Sequence, residues 1–114
     1  MLNGKKIAVV LPAYNAASTV AKTYSEIPME IVDAVILVDD ASKDNTSVIA
    51  EELGIAHVIR HESNKGYGGN QKSCYTKALE LGADIIIMLH PDYQYTPKLI
   101  HAISGIIAFE VYPV

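Results

Sequence analysis

Two adjacent carboxylates, Asp39 and Asp40, directly follow an apolar run at residues 34–38 (AVILV). Carboxylates at the end of a buried strand cost free energy unless a hydrogen-bond donor or a ligand uses them. Asp44 has a simpler interpretation, because an Asp at that position can cap the helix that follows. The pair precedes that helix by several residues. We therefore predict that these two carboxylates accept hydrogen bonds from a ribose hydroxyl or a base N–H.

A second set of polar side chains, His90, Asp92 and Gln94, occupies alternate positions after the apolar run at residues 84–89 (DIIIML). Alternate residues of an extended segment lie on one side of it, so these side chains can converge. Carboxylate and amide oxygens suit Mg²⁺ or Mn²⁺, and an imidazole shifts the preference toward Mn²⁺. From the residues alone, a turn capped by Asp92 beside a merely polar His90 is an equal alternative.

A glycine-rich segment, residues 64–70 (NKGYGGN), holds three glycines within four positions, at Gly66, Gly68 and Gly69. Such a segment leaves backbone amides exposed before a helix, and that arrangement suits a phosphate. It lacks the Gly-Lys-Ser/Thr ending of a Walker loop, and it does not follow the first strand as a dinucleotide-binding fingerprint would. Lys72 is the cation nearest to this segment in the sequence. A plain glycine-rich turn is the alternative.

The segment Pro12-Ala13-Tyr14-Asn15 follows the first apolar run, residues 6–11 (KIAVVL). Pro12 ends that run and fixes a turn, and Tyr14 offers a flat ring on which a base can stack. Asn15 either caps the next helix or contacts the ligand. A turn followed by a helix cap explains the segment equally simply.

Four short apolar runs predict the strands that position these groups. They lie at residues 6–11, 34–38, 56–60 and 84–89 and are continuous instead of alternating, which is typical of parallel strands covered on both faces. Helices are predicted at residues 15–27, 45–53, 70–81 and 96–109. This order predicts an α/β fold, a three-layer, mostly parallel sheet of Rossmann-like βαβ units. Such sheets bind ligands beyond the carboxyl ends of their strands, where the four sets of residues lie.

Composition narrows the class of protein. The chain has 114 residues, of which 50% are hydrophobic and 19% are charged, so we expect one domain with a real core. A net charge of −4 without a basic stripe argues against nucleic acid as a partner. The single cysteine, Cys74, excludes an internal disulfide, and we predict that it is buried on a helix face. With no recognisable signal peptide or membrane-spanning run, we expect a cytoplasmic protein.

Three of these segments together resemble the family 2 glycosyltransferases of the GT-A fold, including the dolichyl-phosphate mannose synthase-like members. VVLPAYN is similar to the opening strand and turn of that family, VDDASKDNT to its V-D-D-x-S-x-D-x-T motif, and NKGYGGNQK to its glycine-containing loop. The resemblance extends from residue 6 to about residue 107. Two positions depart from the pattern. His90 stands where the metal-binding D-x-D motif has its first Asp, and Ala16 stands where a Glu often follows P-x-Y-N.

The resemblance implies a role for each matching residue. The base would lie against Pro12, Ala13 and Tyr14, and Asp40 with Asp39 would contact the base or the ribose. Asp92 and Gln94 would hold Mg²⁺ or Mn²⁺ against the diphosphate. The complete predicted sets are, for the nucleotide sugar, Pro12, Ala13, Tyr14, Asn15, Asp39, Asp40, Gly66 and Lys72, and for the metal, Asp92, Gln94 and His90.

On this basis we expect residues 1–114 to be a single nucleotide-sugar-binding domain, a fragment of a longer glycosyltransferase. Such an enzyme transfers a sugar from a UDP- or GDP-sugar to an acceptor, here a polyprenyl phosphate at the cytoplasmic face of the membrane. The family's general base lies beyond residue 114, so we expect this chain to bind the donor but to transfer sugar poorly. We also expect a homodimer formed through residues 111–114.

Two other classes of protein fit part of the pattern. A non-catalytic nucleotide-binding regulatory module would keep Tyr14 and Asp40 but would not need a metal at Asp92. A sugar nucleotidyltransferase shares the α/β layout, yet it carries a glycine-rich, basic loop directly after its first strand, where this chain has PAYN.

Overall fold

The computed structural model describes residues 4–89 and contains one parallel sheet of four strands. The strands are β1 (Ile7–Ala13), β2 (Ala34–Asp39), β3 (His57–Arg60) and β4 (Ile85–Met88), and their order across the sheet is β3-β2-β1-β4. Val10 of β1 lies opposite Ile36 of β2 and Met88 of β4. All four predicted strands are thus confirmed, and no end is shifted by more than two residues.

Three helices connect the strands: α1 (Val20–Ser25), α2 (Thr46–Glu52) and α3 (Gly66–Glu80). The prediction of α2 is confirmed to within one residue at each end. Helix α1 begins five residues later than predicted, because Asn15 has a left-handed backbone (φ 51°) and its N–H donates to Ser42 Oγ at 2.7 Å. That loop is therefore held by tertiary hydrogen bonds and not by helical ones. The predicted helix at residues 96–109 lies outside the described residues.

Successive strand residues point to opposite faces of the sheet, as the pleat requires. One face packs on α1 and α2 and the other on α3, so the described part of the chain has the predicted three layers. The first face is formed around Ile7, Val9, Leu11, Val35, Leu37, Ile85 and Ile87. The second is formed around Ala8, Val10, Ile36, Val38, Ile86, Cys74 and Ala78. The continuous apolar runs are explained, since both sides of each central strand are buried.

Cys74 is fully buried between α3 and the sheet, as predicted. Burial raises the pKa of its thiol to about 12. Because the thiolate is the reactive species, alkylation by iodoacetamide near neutral pH should be slower by about a thousandfold than for an exposed cysteine. The rate should recover in concentrated guanidinium chloride. Fast alkylation of the native protein would show instead that α3 opens locally.

No helix within residues 4–89 combines the length and the apolar character needed to cross a bilayer. The longest helix in that range, α3, has 15 residues and carries charged side chains on its outer face.

Candidate functional site

A cavity of about 220 Å³ opens at the carboxyl edge of the sheet. Its walls come from the end of β1, the residue that follows β2, and the start of α3. The strand order β3-β2-β1-β4 reverses its direction at β1, one of the strands that end at this cavity. Parallel sheets bind their ligands at this kind of position. The lining residues are Pro12, Ala13, Tyr14, Asp40, Asn64, Gly66, Tyr67 and Asn70.

Asp40 is the charged residue of this cavity, and only 3% of it is exposed. Its Oδ1 accepts hydrogen bonds from His61 Nδ1 at 2.7 Å and from the Lys65 N–H at 2.8 Å. Its Oδ2 accepts from the Gly66 N–H at 2.9 Å. A carboxylate has about four acceptor positions. Three are filled by these donors, so one position on Oδ2 is left for a ligand by the residues that the structure describes.

The same donors keep Asp40 ionised. Burial by itself would raise the pKa of Asp40, but the hydrogen bonds from the Lys65 amide, the His61 ring and the Gly66 amide outweigh it and hold the pKa below its ordinary value. An ionised carboxylate can only accept hydrogen bonds. The Nδ1 atom of His61 must therefore carry the proton of that bond, and a ligand at the free position must offer an N–H or O–H.

The lowered pKa of Asp40 makes stability depend on pH in the acid range. Because the unfolded carboxyl binds protons more readily, its stabilising effect is complete above the ordinary pKa of about 3.9 and disappears as the pH falls through the lower folded value. We expect the free energy of unfolding, measured with guanidinium chloride, to decrease with pH below that value. Asp40→Asn should reduce this slope, and Glu51→Gln on the exposed side of α2 should leave it unchanged. An unaltered slope in Asp40→Asn would contradict the assignment.

Asp39 has a separate role, although it is adjacent to Asp40. It is completely buried, its Oδ1 accepts from the Ser42 N–H at 3.0 Å and from the Ser42 hydroxyl, and its Oδ2 accepts from Arg60 Nη1 at 2.8 Å. Adjacent residues of an extended chain point to opposite sides, which separates the two carboxylates. Asp39 does not line the cavity, and its described contacts join β2 to β3. Of the two carboxylates that we predicted to contact a ligand, Asp40 lines the cavity and Asp39 does not.

The loop after β1 is fastened to the loop after β2. Asn15 Oδ1 accepts from the Lys43 N–H at 2.9 Å, and the Ala16 N–H donates to the buried Thr46 Oγ1 at 2.9 Å. Asp44 also belongs to this contact, since its Oδ2 accepts from Ala17 N–H at 3.2 Å. The side chain of Asn15 is thus used between the two loops and does not line the cavity. These hydrogen bonds between the two loops position the neighbouring Tyr14 at the cavity wall, where 48% of the residue is exposed.

The glycine-rich segment is the first turn of α3 and not an open loop. Gly66 has a left-handed backbone (φ 80°), and a Cβ added at Gly69 would lie 2.6 Å from the Lys65 Cβ. Gly66 supplies the left-handed backbone at which the helix begins, and the missing side chain of Gly69 leaves room for that of Lys65. The Lys65 and Gly66 amides, which we predicted to be open to a phosphate, are already bonded to Asp40. Two amides of the segment thus serve a carboxylate of the chain itself.

Lys72 lies in a different place from the rest of the predicted nucleotide-binding set. It lines a groove of about 580 Å³ between α3 and β3, together with Lys65, His61 and Ser73. Tyr67 and Asn70, three residues apart on α3, face the cavity, whereas Lys72 projects from another side of the helix. Pro12, Ala13, Tyr14, Asp40 and Gly66 are brought together at the cavity, and Asn15, Asp39 and Lys72 are not.

The predicted site residues did not include Asn64, Tyr67 and Asn70, which line the cavity, or His61, which bonds to its carboxylate. Tyr67 is 55% exposed and supplies a second aromatic ring beside the cavity. Asn70 is buried, and its Nδ2 donates to the carbonyl oxygens of Val38 at 3.0 Å and Ala13 at 3.4 Å. His61 bonds to Asp40 through its Nδ1. Tyr67 and Asn70 lie inside the NKGYGGNQK segment and could have been found there, whereas nothing in the spacing of His61 marks it.

The predicted metal ligands, His90, Asp92 and Gln94, lie outside the described residues. Within residues 4–89 there is no group of three His, Cys, Asp or Glu side chains that could hold a metal ion. Leu89, the last described residue, donates its N–H to the Val10 carbonyl at 2.9 Å, so β4 ends beside β1 near the cavity. The predicted set offers carboxylate, amide and imidazole donors, and these are suited to Mg²⁺ or Mn²⁺.

Comparison with known proteins identifies the family. The sequence model of glycosyl transferase family 2 matches residues 8–108. The chain belongs to this family. Among curated relatives of this family 2 chain, a UDP-N-acetylglucosamine–dolichyl-phosphate N-acetylglucosaminyltransferase of Methanococcus voltae is 35% identical over 109 residues, covering 82% of the chain and 43% of that protein. A polyprenol monophosphomannose synthase of Mycolicibacterium smegmatis is 24% identical over 103 residues, covering 82% of the chain and 38% of that protein.

Solved structures of similar proteins have the same fold. Glucosyl-3-phosphoglycerate synthase from Mycobacterium tuberculosis, in complex with Mn²⁺, UDP and glucosyl-3-phosphoglycerate, superposes with a TM-score of 0.73 at 26% identity, covering 90% of this chain and 39% of that one. The resemblance inferred from sequence and the GT-A fold class are confirmed. The family 2 chain spans about two-fifths of the length of these relatives.

Proposed function

We propose that this family 2 chain binds the nucleotide of a nucleotide-diphosphate sugar and forms the donor-binding domain of a longer glycosyltransferase. The observation that carries the proposal is the cavity at the carboxyl edge of the sheet, which is lined by the ionised Asp40 and by Tyr14 and Tyr67. Whole small-molecule sites usually enclose about 300–1,000 Å³. A cavity of 220 Å³ therefore suits the nucleoside, with the diphosphate and sugar extending beyond it.

In this proposal the base lies against the two tyrosine rings. Either an N–H of the base or an O–H of the ribose donates a hydrogen bond to Asp40. We favour uridine, because the small cavity suits a pyrimidine better than a purine. The Methanococcus voltae transferase has a uridine nucleotide in its name, and the Mycobacterium tuberculosis synthase has been solved in complex with UDP. A GDP-sugar is the other donor to test.

Stacking on Tyr14 leads to a specific prediction. Tyr14→Ala should weaken UDP binding by about tenfold, because stacking of a base on an aromatic ring contributes roughly 1–3 kcal/mol. Tyr14→Phe keeps the ring and serves as the matched control, so its affinity should stay within about twofold of the wild type. Calorimetric titration measures both. Equal losses in the two variants would mean that the hydroxyl, not the ring face, contacts the ligand.

The metal belongs to the same proposal. His90, Asp92 and Gln94 follow directly after Leu89, and their donor types suit Mg²⁺ or Mn²⁺. When bound, such an ion supplies Lewis-acid stabilisation of the departing nucleoside diphosphate. Similar proteins have been solved with Mn²⁺ or with Mg²⁺ beside UDP.

For the whole protein we propose transfer of the sugar to a polyprenyl phosphate at the cytoplasmic face of the membrane. The names of two similar proteins support this acceptor class, one with dolichyl phosphate and one with a polyprenol. The acceptor pocket and the general base would then belong to the part of the enzyme beyond this chain. We expect residues 1–114 to bind donor without measurable transfer.

The test is calorimetric titration of UDP and GDP with and without Mn²⁺, in the wild type, in Asp92→Ala and in Glu52→Ala. Glu52 is exposed on α2, far along the chain from the metal set, and controls for loss of a carboxylate. Metal-dependent binding of UDP that is lost only in Asp92→Ala supports the proposal. Nucleotide binding of equal affinity with and without Mn²⁺ would favour a regulatory nucleotide-binding module. Binding of neither nucleotide would refute donor binding by this chain.

A further inference from the structure

We infer that His61 is a positioning residue, which holds the Asp40 carboxylate in the orientation that a nucleotide requires. A chain of hydrogen bonds runs from Asp40 Oδ1 to His61 Nδ1 at 2.7 Å and from His61 Nε2 to Ser73 Oγ at 2.8 Å. The imidazole is only 6% exposed. It stands between the cavity that Asp40 lines and the groove that Ser73 lines.

The ring is held at both of its nitrogens and at its backbone. The His61 N–H donates to the Asp39 carbonyl at 2.9 Å, which fixes the residue at the end of β3 beside β2. Ser73, on the third turn of α3, bonds to Nε2 and sets the plane of the ring. Because both ends are fixed, Nδ1 presents its proton to Asp40 in one direction.

The order Ser–His–Asp also occurs in acyl-transfer enzymes, but here the geometry favours positioning over nucleophilic attack. Ser73 lies inside α3, where backbone amides are committed to the helical hydrogen bonds. Free amide donors aimed near the nucleophile are what stabilise an oxyanion. The described surroundings of Ser73 do not supply such a pair, so the hydrogen-bond chain acts through the orientation of Asp40.

Loss of His61 would affect a bound ligand through the hydrogen bonds that remain on the Asp40 carboxylate. If His61 is lost, the carboxylate keeps the Lys65 N–H at Oδ1 and the Gly66 N–H at Oδ2 but loses the imidazole donor, so it is held less firmly against rotation about its Cβ–Cγ bond. Rotation turns the open acceptor position on Oδ2 away from the cavity. This step rests on the proposed nucleotide site, because only a ligand that donates to Asp40 would sense the rotation.

Two substitutions at His61 separate positioning from general packing. The amide nitrogen of asparagine takes the place of Nδ1 and keeps a donor for Asp40, whereas that of glutamine takes the place of Nε2 and keeps a partner for Ser73. We expect His61→Asn to retain UDP affinity within about threefold and His61→Gln to lose about tenfold or more. His57→Gln on the edge strand β3 is the control for the same chemical change. Calorimetric titration of UDP with Mn²⁺ measures all three.

A second readout does not need a nucleotide. Amide hydrogen exchange, followed by NMR, reports whether Asp40 still accepts from the Lys65 and Gly66 N–H groups. Faster exchange of these two amides in His61→Gln, with near-normal exchange in His61→Asn, supports the inference together with the affinity split. Equal exchange and equal affinity in the two variants would overturn it. If the wild type binds neither UDP nor GDP, the proposed function fails, and the exchange rates alone decide whether His61 positions Asp40.

Discussion

Replacing Asp40 by alanine is expected to lower the free energy of unfolding by about 3–5 kcal/mol, because a buried charged group is removed from partners that stay buried. The carboxylate satisfies the His61 ring and the backbone amides of Lys65 and Gly66. Each donor left unsatisfied in a buried position costs roughly 1–3 kcal/mol. UDP binding should be lost as well, since the acceptor at the cavity disappears.

Guanidinium-induced unfolding of three proteins tests this expectation. Asp40→Asn keeps one acceptor oxygen and should show about half of the alanine effect, because its amide nitrogen faces a donor. Glu51→Ala removes an exposed carboxylate on α2 and should change stability by less than about 0.5 kcal/mol. A loss below about 1 kcal/mol in Asp40→Ala would mean that water replaces the carboxylate, and our account of the α3 start would be wrong.

Asn70→Ala is expected to lower the free energy of unfolding by about 2–3 kcal/mol. Asn70 is 3% exposed, and its Nδ2 donates to carbonyl oxygens at the ends of β1 and β2, at 3.4 Å from Ala13 and 3.0 Å from Val38. Its Oδ1 lies 3.5 Å from the Cys74 Sγ. One side chain thus joins α3 to both central strands. Alanine removes its donor from the buried Val38 carbonyl and leaves a small cavity beside the strands, although the Ala13 carbonyl keeps the Asp40 N–H at 2.9 Å.

Asn45 provides the matched control for Asn70. It is an exposed asparagine at the start of α2 that makes no capping hydrogen bond through its side chain. Asn45→Ala should therefore cost less than about 0.5 kcal/mol in the same thermal or denaturant unfolding experiment. If the two variants lost equal stability, the bridge from Asn70 to the strands would not contribute as its geometry indicates.

The sheet could be predicted because strands that are buried on both faces consist of continuous runs of apolar residues. Residues 7–11, 34–38 and 85–88 are almost entirely apolar, and each forms a strand. Helix ends were harder to place where tertiary hydrogen bonds replace helical ones. Asn15 was expected to begin a helix, but its side chain bonds to Lys43 28 residues away. Nothing local in the sequence encodes that partner.

The position of the site at the strand ends was predicted, but the separate roles of its two aspartates were not. Adjacent aspartates at a strand end indicated a ligand, yet the sequence could not tell which of them faces it. That choice depends on Arg60 and His61, each 21 residues from its carboxylate partner and adjacent to each other at the end of β3. Because adjacent residues of a strand point to opposite sides, Arg60 bonds to Asp39 and His61 bonds to Asp40. The pattern is visible only once β2 and β3 are known to lie side by side.

The hydrogen bonds between the loops after β1 and β2 have a consequence for the thermodynamics of binding. Ordering a flexible loop residue costs roughly 1–2 kcal/mol in conformational entropy. Because Asn15, Ala16 and Ala17 are already bonded to Ser42, Thr46 and Asp44 without a ligand, the ligand does not have to order them. Association through this wall should therefore proceed in a single kinetic phase, with a rate set by diffusional encounter instead of loop closure.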